Sequence, residues 1–303
     1  MIIESTLGSY LKGEITMTKV TFIGIGDMGS EMITHLPDAG YDVTVWDRDP
    51  KKLAKIDQPD IHVATSLSEA VKASKVVITA VMSDDVLALH VGDDHQPGIV
   101  NFLQPGSTLI VTSTLDPEKI FAVNRALPKD THLLDVPIIG GVRYAREASL
   151  VLIGSGDKAT FDNVLPILKV FGTVKYLCAL GNGAKLKLIT NVGIMAAEAG
   201  IRETLDLADA YDIDYDTVLE LMRMGPLKAV VNRALDTTNP RPLKGSVADE
   251  EELLTATKDL IKLPLAKGSR DRLRDAVDAV EGEARFIDIT NKNTALAKYK
   301  SAK

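Results

Sequence analysis

The apolar positions of this chain fall into two regimes. From Val20 to Leu177, short apolar runs alternate with segments whose apolar residues recur at helical spacing; from Gly183 onward only the helical spacing remains. The runs predict strands at Val20 to Ile25, Tyr41 to Trp46, Ile61 to Ala64, Val76 to Val81, Thr108 to Val111, His132 to Val136, Leu150 to Gly154 and Val174 to Leu177. Between them lie helical patterns at Met28 to Leu36, Leu67 to Ala73, from Asp84, from Pro117, around Val142 to Glu147 and over Lys158 to Val170. Such alternation with short turns predicts an α/β architecture, a Rossmann-type doubly wound and mostly parallel sheet whose ligand lies beyond the carboxyl ends of the strands.

In the second regime, Ala184 to Tyr211 reads as one long helix with apolar residues on more than one face, a pattern that needs packing partners on several sides. Further helices are expected near Tyr215 to Met224, Pro226 to Leu235, Glu250 to Leu260 and Ser269 to Val280. The boundary falls near Leu180 to Gly183. We therefore expect a dinucleotide-binding domain over residues 17–182, an all-helical substrate and oligomerisation domain over residues 183–303, and a peripheral extension over residues 1–16, with Met17 standing where such a chain would start.

The most specific local feature is the passage from strand to helix through Gly24, Gly26 and Gly29. Gly24 permits the tight turn, Gly26 leaves room for backbone to approach a pyrophosphate, and Gly29 lets helix and strand pack closely. The second strand ends at Asp47, about where an acid meets an adenine ribose. Arg48 follows it and is suited to stacking on adenine and pairing with the 2′-phosphate of NADP, whereas Asp47 suits the free hydroxyls of NAD. The balance leans to NADP, with NAD also used.

Composition narrows the partners. A formal charge of -7 with no basic face argues against nucleic acid, and no run is apolar and long enough for a bilayer span. The single cysteine, Cys178, whose flanks read as a packed strand end, suits a reducing, cytoplasmic setting. Five scattered histidines show no metal-ligand spacing, so neither a metal site nor a serine or cysteine triad is indicated.

Three further segments carry candidate chemistry. Asp135-Val-Pro-Ile-Ile139-Gly140-Gly141 follows an inner strand, so the glycine amides point into the expected cleft, as an anion cradle or simply as a turn into the next helix. Ser113-Thr114 follows another strand at the cofactor edge, where Thr114 or Asp116 is also a good helix N-cap. Lys187 and Asn191 share one face of the long helix amid apolar flanks, and a lysine in a partly dry cleft has a lowered pKa suited to proton transfer.

With these motifs the chain resembles the β-hydroxyacid dehydrogenase family, which includes 3-hydroxyisobutyrate dehydrogenases and tartronate, glyoxylate and succinic semialdehyde reductases. The resemblance covers about Thr18 to Ala210 and rests on Gly24 to Gly29, Ser113-Thr114 with Asp116-Pro117, Asp135-Val-Pro with Gly140-Gly141, and Gly181-x-Gly183 followed by Lys187 and Asn191. It implies Lys187 as acid/base, Asn191 as its companion in orienting substrate, and Gly140 and Gly141 as the carboxylate cradle beside Ile139. It also implies a cofactor edge formed by Gly24, Ile25, Gly26, Asp27, Met28, Gly29, Asp47, Arg48, Val81, Met82 and Thr114, the last touching substrate as well.

The sequence departs from the family at three places. Ile139 stands where serine is common, Ala148-Ser149-Leu150 replaces Gly-Thr-Leu, and a later Lys-Asp-Leu motif corresponds either to Glu251-Glu252-Leu253 or to Lys258-Asp259-Leu260. The expected activity is interconversion of a short 3-hydroxy acid and its semialdehyde with NAD(P), by a homodimer or higher homo-oligomer acting on a small carboxylate. An imine or bulky-ketone reductase and a catalytically idle dinucleotide-binding protein are the alternatives.

Overall fold

A computed structural model describes residues 17–295; the expected N-terminal extension, residues 1–16, and the last eight residues lie outside them. Nine strands form the sheet: β1 (Thr18–Ile23), β2 (Tyr41–Trp46), β3 (Ile61–Val63), β4 (Val76–Thr79), β5 (Thr108–Val111), β6 (His132–Asp135), β7 (Ile138–Ile139), β8 (Leu150–Gly156) and β9 (Gly172–Tyr176). Their order is β3-β2-β1-β4-β5-β6-β8-β7, with β9 paired to β8. The first six of that order run parallel, with Val20 opposite Val43 and Ile78 opposite Ile110. Strands buried on both faces carry near-continuous apolar runs, as parallel sheets require, and Phe22, Ile78, Ile110 and Leu134 are fully buried.

Helices α1 (Asp27–Met32), α2 (His35–Asp38), α3 (Pro50–Leu53), α4 (Leu67–Ala73), α5 (Val86–His90), α6 (Pro117–Ala126), α7 (Val142–Arg146) and α8 (Lys158–Lys169) accompany the sheet. The single helix expected over Met28 to Leu36 is two. Pro37 has no N–H to donate to Ile33, so the ladder breaks there, and Leu36 bonds Ile33 with the tighter three-residue spacing at 3.3 Å. Beyond β6 the sheet turns antiparallel: Ile138 and Ile139 pair back onto Leu152 and Val151, a short strand without enough residues to show a period. Cys178 is not packed as its flanks suggested. It is exposed, just beyond β9, with a φ of 59°.

The remainder is helical: α9 (Asn182–Ala210), α10 (Tyr215–Met224), α11 (Lys228–Ala234), α12 (Leu243–Thr257) and α13 (Pro264–Asp278). Helix α12 starts seven residues earlier than its apolar spacing suggested, because Gly245 and Ser246 dilute a stripe in which Leu243, Val247 and Leu253 are all buried. The core between these helices includes Ile201, Leu205, Leu243, Leu273 and Phe286. It also holds the fully buried Arg202, whose guanidinium donates to the carbonyls of Ile289 and Asn291, to Thr294 Oγ1 and to Tyr215 Oη at 2.7–2.9 Å. Asp206, 3.4 Å away, supplies the opposite charge, and the bonds fasten the final turns to α9.

Sheet and helices are joined where α9 begins. Ala184 donates its N–H to Asp135 Oδ2 at 2.8 Å and Gly183 donates to Ser155 Oγ at 3.0 Å, while Ser155 in turn bonds Asp135. Gly183 sits so close that a Cβ would meet the backbone oxygens of Ile153 and Asp135 at 2.7 and 2.9 Å. A second tie is Glu252 of α12, which accepts from the Asp116 N–H at 2.6 Å and from Lys119 Nζ at 2.8 Å. Because backbone on two strands must move to admit even a methyl group, Gly183→Ala is expected to cost about 1–3 kcal/mol of stability. Urea denaturation should show a lower midpoint at unchanged slope; an unaltered midpoint would mean that the helix start is loosely seated.

Candidate active site

The glycine turn is built as its spacing suggests. Gly24 has a φ of 96° and donates its N–H to the Trp46 carbonyl at 3.0 Å, and a Cβ there would press on Ala80 and, at 2.8 Å, on Val81 Cγ1. A Cβ on Gly29 would strike the Gly24 carbonyl, so helix and strand meet backbone to backbone. At Gly26, by contrast, a Cβ meets nothing within 4 Å. That open approach, next to the start of α1, fits the close passage of a pyrophosphate. Ile25 is buried, Met28 half-buried, Asp27 exposed and Met82 exposed at the end of β4.

Asp47 braces this turn. One carboxylate oxygen accepts the Ile25 N–H at 2.7 Å, the other accepts the Asp49 N–H at 2.9 Å, and Lys52 Nζ approaches at 3.4 Å. Arg48 points outward and is gripped on both of its Nη atoms by Asp85, at 2.6 and 2.9 Å. Ser113 Oγ donates to the Val81 carbonyl at 2.6 Å, locking the ends of β4 and β5 together. Thr114 beside it is half-buried, and the N-cap of α6 is Asp116, which accepts from the Glu118 N–H. His90 is a core histidine, bonded to the Val86 carbonyl and Thr79 Oγ1, with burial holding its pKa down to about 4.

Farther along the strand ends, Ile139 is half-buried at the end of β7, and Gly140 follows with a φ of 140°. A side chain at Gly140 would be strained and would press on Leu150 Cδ2 at 2.9 Å. Gly141 is extended and opens α7, with room for a Cβ. The two glycines thus expose main chain at the strand ends, five and six residues beyond the Asp135 that holds α9.

Lys187 and Asn191 lie one turn apart on α9, 8% and 1% exposed. Neither amide atom of Asn191 has a hydrogen-bond partner among the described residues. A buried polar group without a partner is costly, so the pair is arranged for something that arrives from outside the chain. Burial pulls the Lys187 pKa down to about 8; Asp249 opposes that shift, Arg241 and Arg233 add to it, and Glu198 opposes it.

Those four charges were not singled out in the sequence. Arg241 donates to Asp249 Oδ2 at 2.8 Å, with its Nε 3.3 Å from where a Cβ on Gly245 would stand, and Arg233 pairs with the buried Glu198 at 3.1 Å. Glu250, also buried and with both oxygens unpartnered, is pushed up to about 8 by burial and by the neighbouring carboxylates Glu198 and Asp249. Only the buried side of α12, invisible while its start was misplaced, would have drawn attention to Asp249 and Glu250.

A cavity of about 710 Å³ opens between the sheet edge and α12, lined by Asp84, Lys119, Ala248, Glu252, Thr255 and Lys258. The two segments weighed for the Lys-Asp-Leu motif lie on either side of the end of α12, and Lys258 of the second lines the cavity. Glu251 pairs with Arg274, Glu252 ties to α6, and Lys258 lies one residue past the helix, with Leu260 beyond it 79% exposed. Among the described residues, no three His, Cys, Asp or Glu side chains converge as metal ligands, and no helix is long and apolar enough to cross a membrane.

The geometry agrees with comparisons to known proteins. A family model described as the NAD binding domain of 6-phosphogluconate dehydrogenase matches residues 19–181. Over 268 residues the chain is 32% identical to glyoxylate/succinic semialdehyde reductase 1 of Arabidopsis thaliana, an overlap of 88% of this chain and 91% of that one. Its fold is shared by the 3-hydroxyisobutyrate dehydrogenase of Mycobacterium tuberculosis, solved with L-serine, at a TM-score of 0.75 and 21% identity over 91% of this chain and 98% of that one. An imine reductase of Myxococcus stipitatus in complex with NADP+ is also similar, at a TM-score of 0.60 and 21% identity over 89% and 98%. With a glycine turn open to a pyrophosphate and a family model spanning the whole sheet, the chain belongs to the β-hydroxyacid dehydrogenase family and carries a nicotinamide-dinucleotide-binding domain of the 6-phosphogluconate dehydrogenase type.

Proposed function

We propose that this protein interconverts a short 3-hydroxy acid and its semialdehyde with NAD(P), using Lys187 as the general acid and base. The observation that carries the reading is the buried pair on α9: a lysine whose pKa is drawn down to about 8, beside an asparagine amide with no partner. The bound nicotinamide supplies or accepts the hydride. Lys187 donates a proton to the forming hydroxyl in reduction and removes it in oxidation, Asn191 holds substrate and lysine in register, and the Gly140–Gly141 amides receive the carboxylate. Residues 17–182 would hold the dinucleotide, with Gly24 to Gly29, Asp47, Arg48, Val81, Met82 and Thr114 along it, and residues 183–303 would close the substrate side. The imine reductase reading is favoured by Ile139, which makes the carboxylate end more apolar, and opposed by the retained lysine. An idle binder would take up cofactor and turn over nothing.

Replacing the amine tests the role directly. Lys187→Met should lower turnover of semialdehydes about 10²–10⁴-fold while leaving the dissociation constant for NADPH or NADH near its original value. The same variant should gain stability. Because the folded-state pKa lies below the ordinary lysine value, the folded chain binds this proton less tightly than the unfolded chain, and the penalty at pH 7 disappears only as pH rises from about 8 to about 10.5. Removing the amine therefore relieves up to roughly 3 kcal/mol at neutral pH. Full activity in Lys187→Met would sink the proposal.

The pH dependence follows from the same group. Reduction needs the ammonium form, so its kcat/KM should fall as pH rises through about 8, while that for oxidation should rise over the same interval. Asp249 holds the lysine proton on, so Asp249→Asn should move both inflections to lower pH. Profiles that stay in place would disconnect Asp249 from the lysine.

We also read the protein as a cytoplasmic homo-oligomer. Leu260, Ile261 and Leu265, at the turn from α12 to α13, are 79%, 62% and 63% exposed, an apolar cluster suited to a second copy. Light scattering on the purified chain should give at least twice its 32.7 kDa mass; a monomer at micromolar concentration would refute this.

A further inference from the structure

We propose that Asp85 is a cofactor-specificity residue: it occupies the guanidinium that a 2′-phosphate needs, so that its competition with that phosphate for Arg48 sets the ratio in which NADPH and NADH bind. The proposal rests on the dinucleotide reading of the glycine turn and adds a residue on a different strand end from those that carried it.

Arg48 follows β2, the strand whose carboxyl end meets the adenine ribose in folds of this kind. Asp85 lies beyond β4, at the end of the single-turn helix Ser83–Asp85. In the sheet, β1 and its glycine turn stand between those two strands. The ion pair therefore bridges the two lips of the groove that leaves the turn on its adenosine side. Both oxygens of Asp85 are used, one on each Nη of Arg48, so the planar fork that would clasp a phosphate is filled by a carboxylate of matching shape.

The surroundings sharpen the competition. Asp47 accepts the Ile25 N–H of the glycine turn on one oxygen and the Asp49 N–H on the other, and Asp49 caps α3 by accepting the Lys51 N–H, so the carboxylate that holds Arg48 is that of Asp85. Asp47 and Asp49 still add negative charge to the place where the phosphate would sit. An adenosine with a free 2′-hydroxyl can enter with the Arg48–Asp85 pair intact. One with a 2′-phosphate must break the pair and face the displaced carboxylate as well, so the cost falls on NADP(H) alone.

The test is binding, not turnover. Dissociation constants for NADH and NADPH, read from the change in nicotinamide fluorescence, should be compared in the unaltered protein, Asp85→Asn, Arg48→Met and the double variant. Asp85→Asn should strengthen NADPH about fivefold relative to NADH, near the upper end of what an exposed ion pair of this kind is worth. In the Arg48→Met background the same substitution should change the ratio less, because the contested group is gone and only the direct repulsion by the carboxylate is left to relieve. The 2′-phosphorylated fragment 2′,5′-ADP, set against AMP, should repeat the pattern by displacement. Equal weakening of both cofactors in Asp85→Asn would overturn the proposal and make the pair a simple clasp over the groove. An unchanged ratio with both cofactors bound would overturn it while leaving the dinucleotide site standing. Failure of either dinucleotide to bind the unaltered protein would remove the site and the proposal together.

Discussion

The placement of α9 on the sheet is the constraint from which the rest follows. A helix of 29 residues carries Lys187 in its second turn, so the position of that buried lysine is set almost wholly by how the first turn is seated. Asp135 does the seating, at the buried end of β6, with Ser155 of the antiparallel neighbour filling the adjacent donor. A carboxylate facing the N-terminal N–H groups of a long helix is favoured by the helix dipole. Burial nevertheless pushes the Asp135 pKa up to about 6, so the joint carries a desolvation cost that the two backbone and hydroxyl bonds offset only in part. Gly183 is the steric half of the same joint. The family motif of two glycines ahead of the lysine is thus a packing requirement: Gly181 supplies the left-handed N-cap, with a φ of 85°, and Gly183 the close approach.

From that fixed point the cleft is assembled out of expensive parts. Lys187, Glu198, Asp249 and Glu250 are all buried, and among them only Asp249 and Glu198 have an arginine partner. A single unpaired charge in such a place destabilises a protein by several kcal/mol. The arrangement softens this in two ways. Glu250 stays protonated at neutral pH, and Arg241 and Arg233 act on the lysine in the opposite sense to Asp249 and Glu198, with burial the largest influence on its pKa. The result is an amine that loses its proton only a little above neutrality, which direct pairing with a carboxylate would have prevented.

The parts of the fold that were legible are those in which one local rule decides. Parallel strands buried on both faces announce themselves as apolar runs, and the glycine turn reads directly because each of its three glycines answers a different steric demand. The readings that failed involve competition between rules. Helical spacing from Met28 to Leu36 predicted one helix, but Pro37 just beyond it has no N–H for Ile33, and the missing N–H won. In α12, buried small residues kept the apolar stripe from standing out, so Asp249 fell outside the expected helix and Glu250 was read only as its start. Cys178 looked packed because its neighbours are apolar, yet the chain turns through a left-handed conformation there. Arg48 stood out in the sequence as a candidate phosphate partner, whereas Asp85, 37 residues away and on another strand end, became visible only once the sheet order was known.

Ile139 is the departure that bears most on chemistry, and the structure shows what it does and does not remove. A serine there would offer a hydroxyl to a carboxylate; isoleucine offers none. The main chain that follows is unaffected, because β7 is held in register by its pairing of Ile139 with Val151 rather than by the side chain. Gly140 still turns through a conformation that other residues resist, so the two glycine amides leave the strand at the same angle whichever residue precedes them. Backbone donors so fixed need no reorganisation when an anion arrives, and this is where oriented amides gain over mobile side chains. Isoleucine in place of serine therefore removes one side-chain donor and leaves both main-chain donors in place. Under the proposed assignment of Gly140 and Gly141 to a carboxylate, the apolar side chain would favour substrates with a hydrocarbon group next to that carboxylate over those with a hydroxyl in the same position, since the latter would bury an oxygen against isoleucine with nothing to bond it.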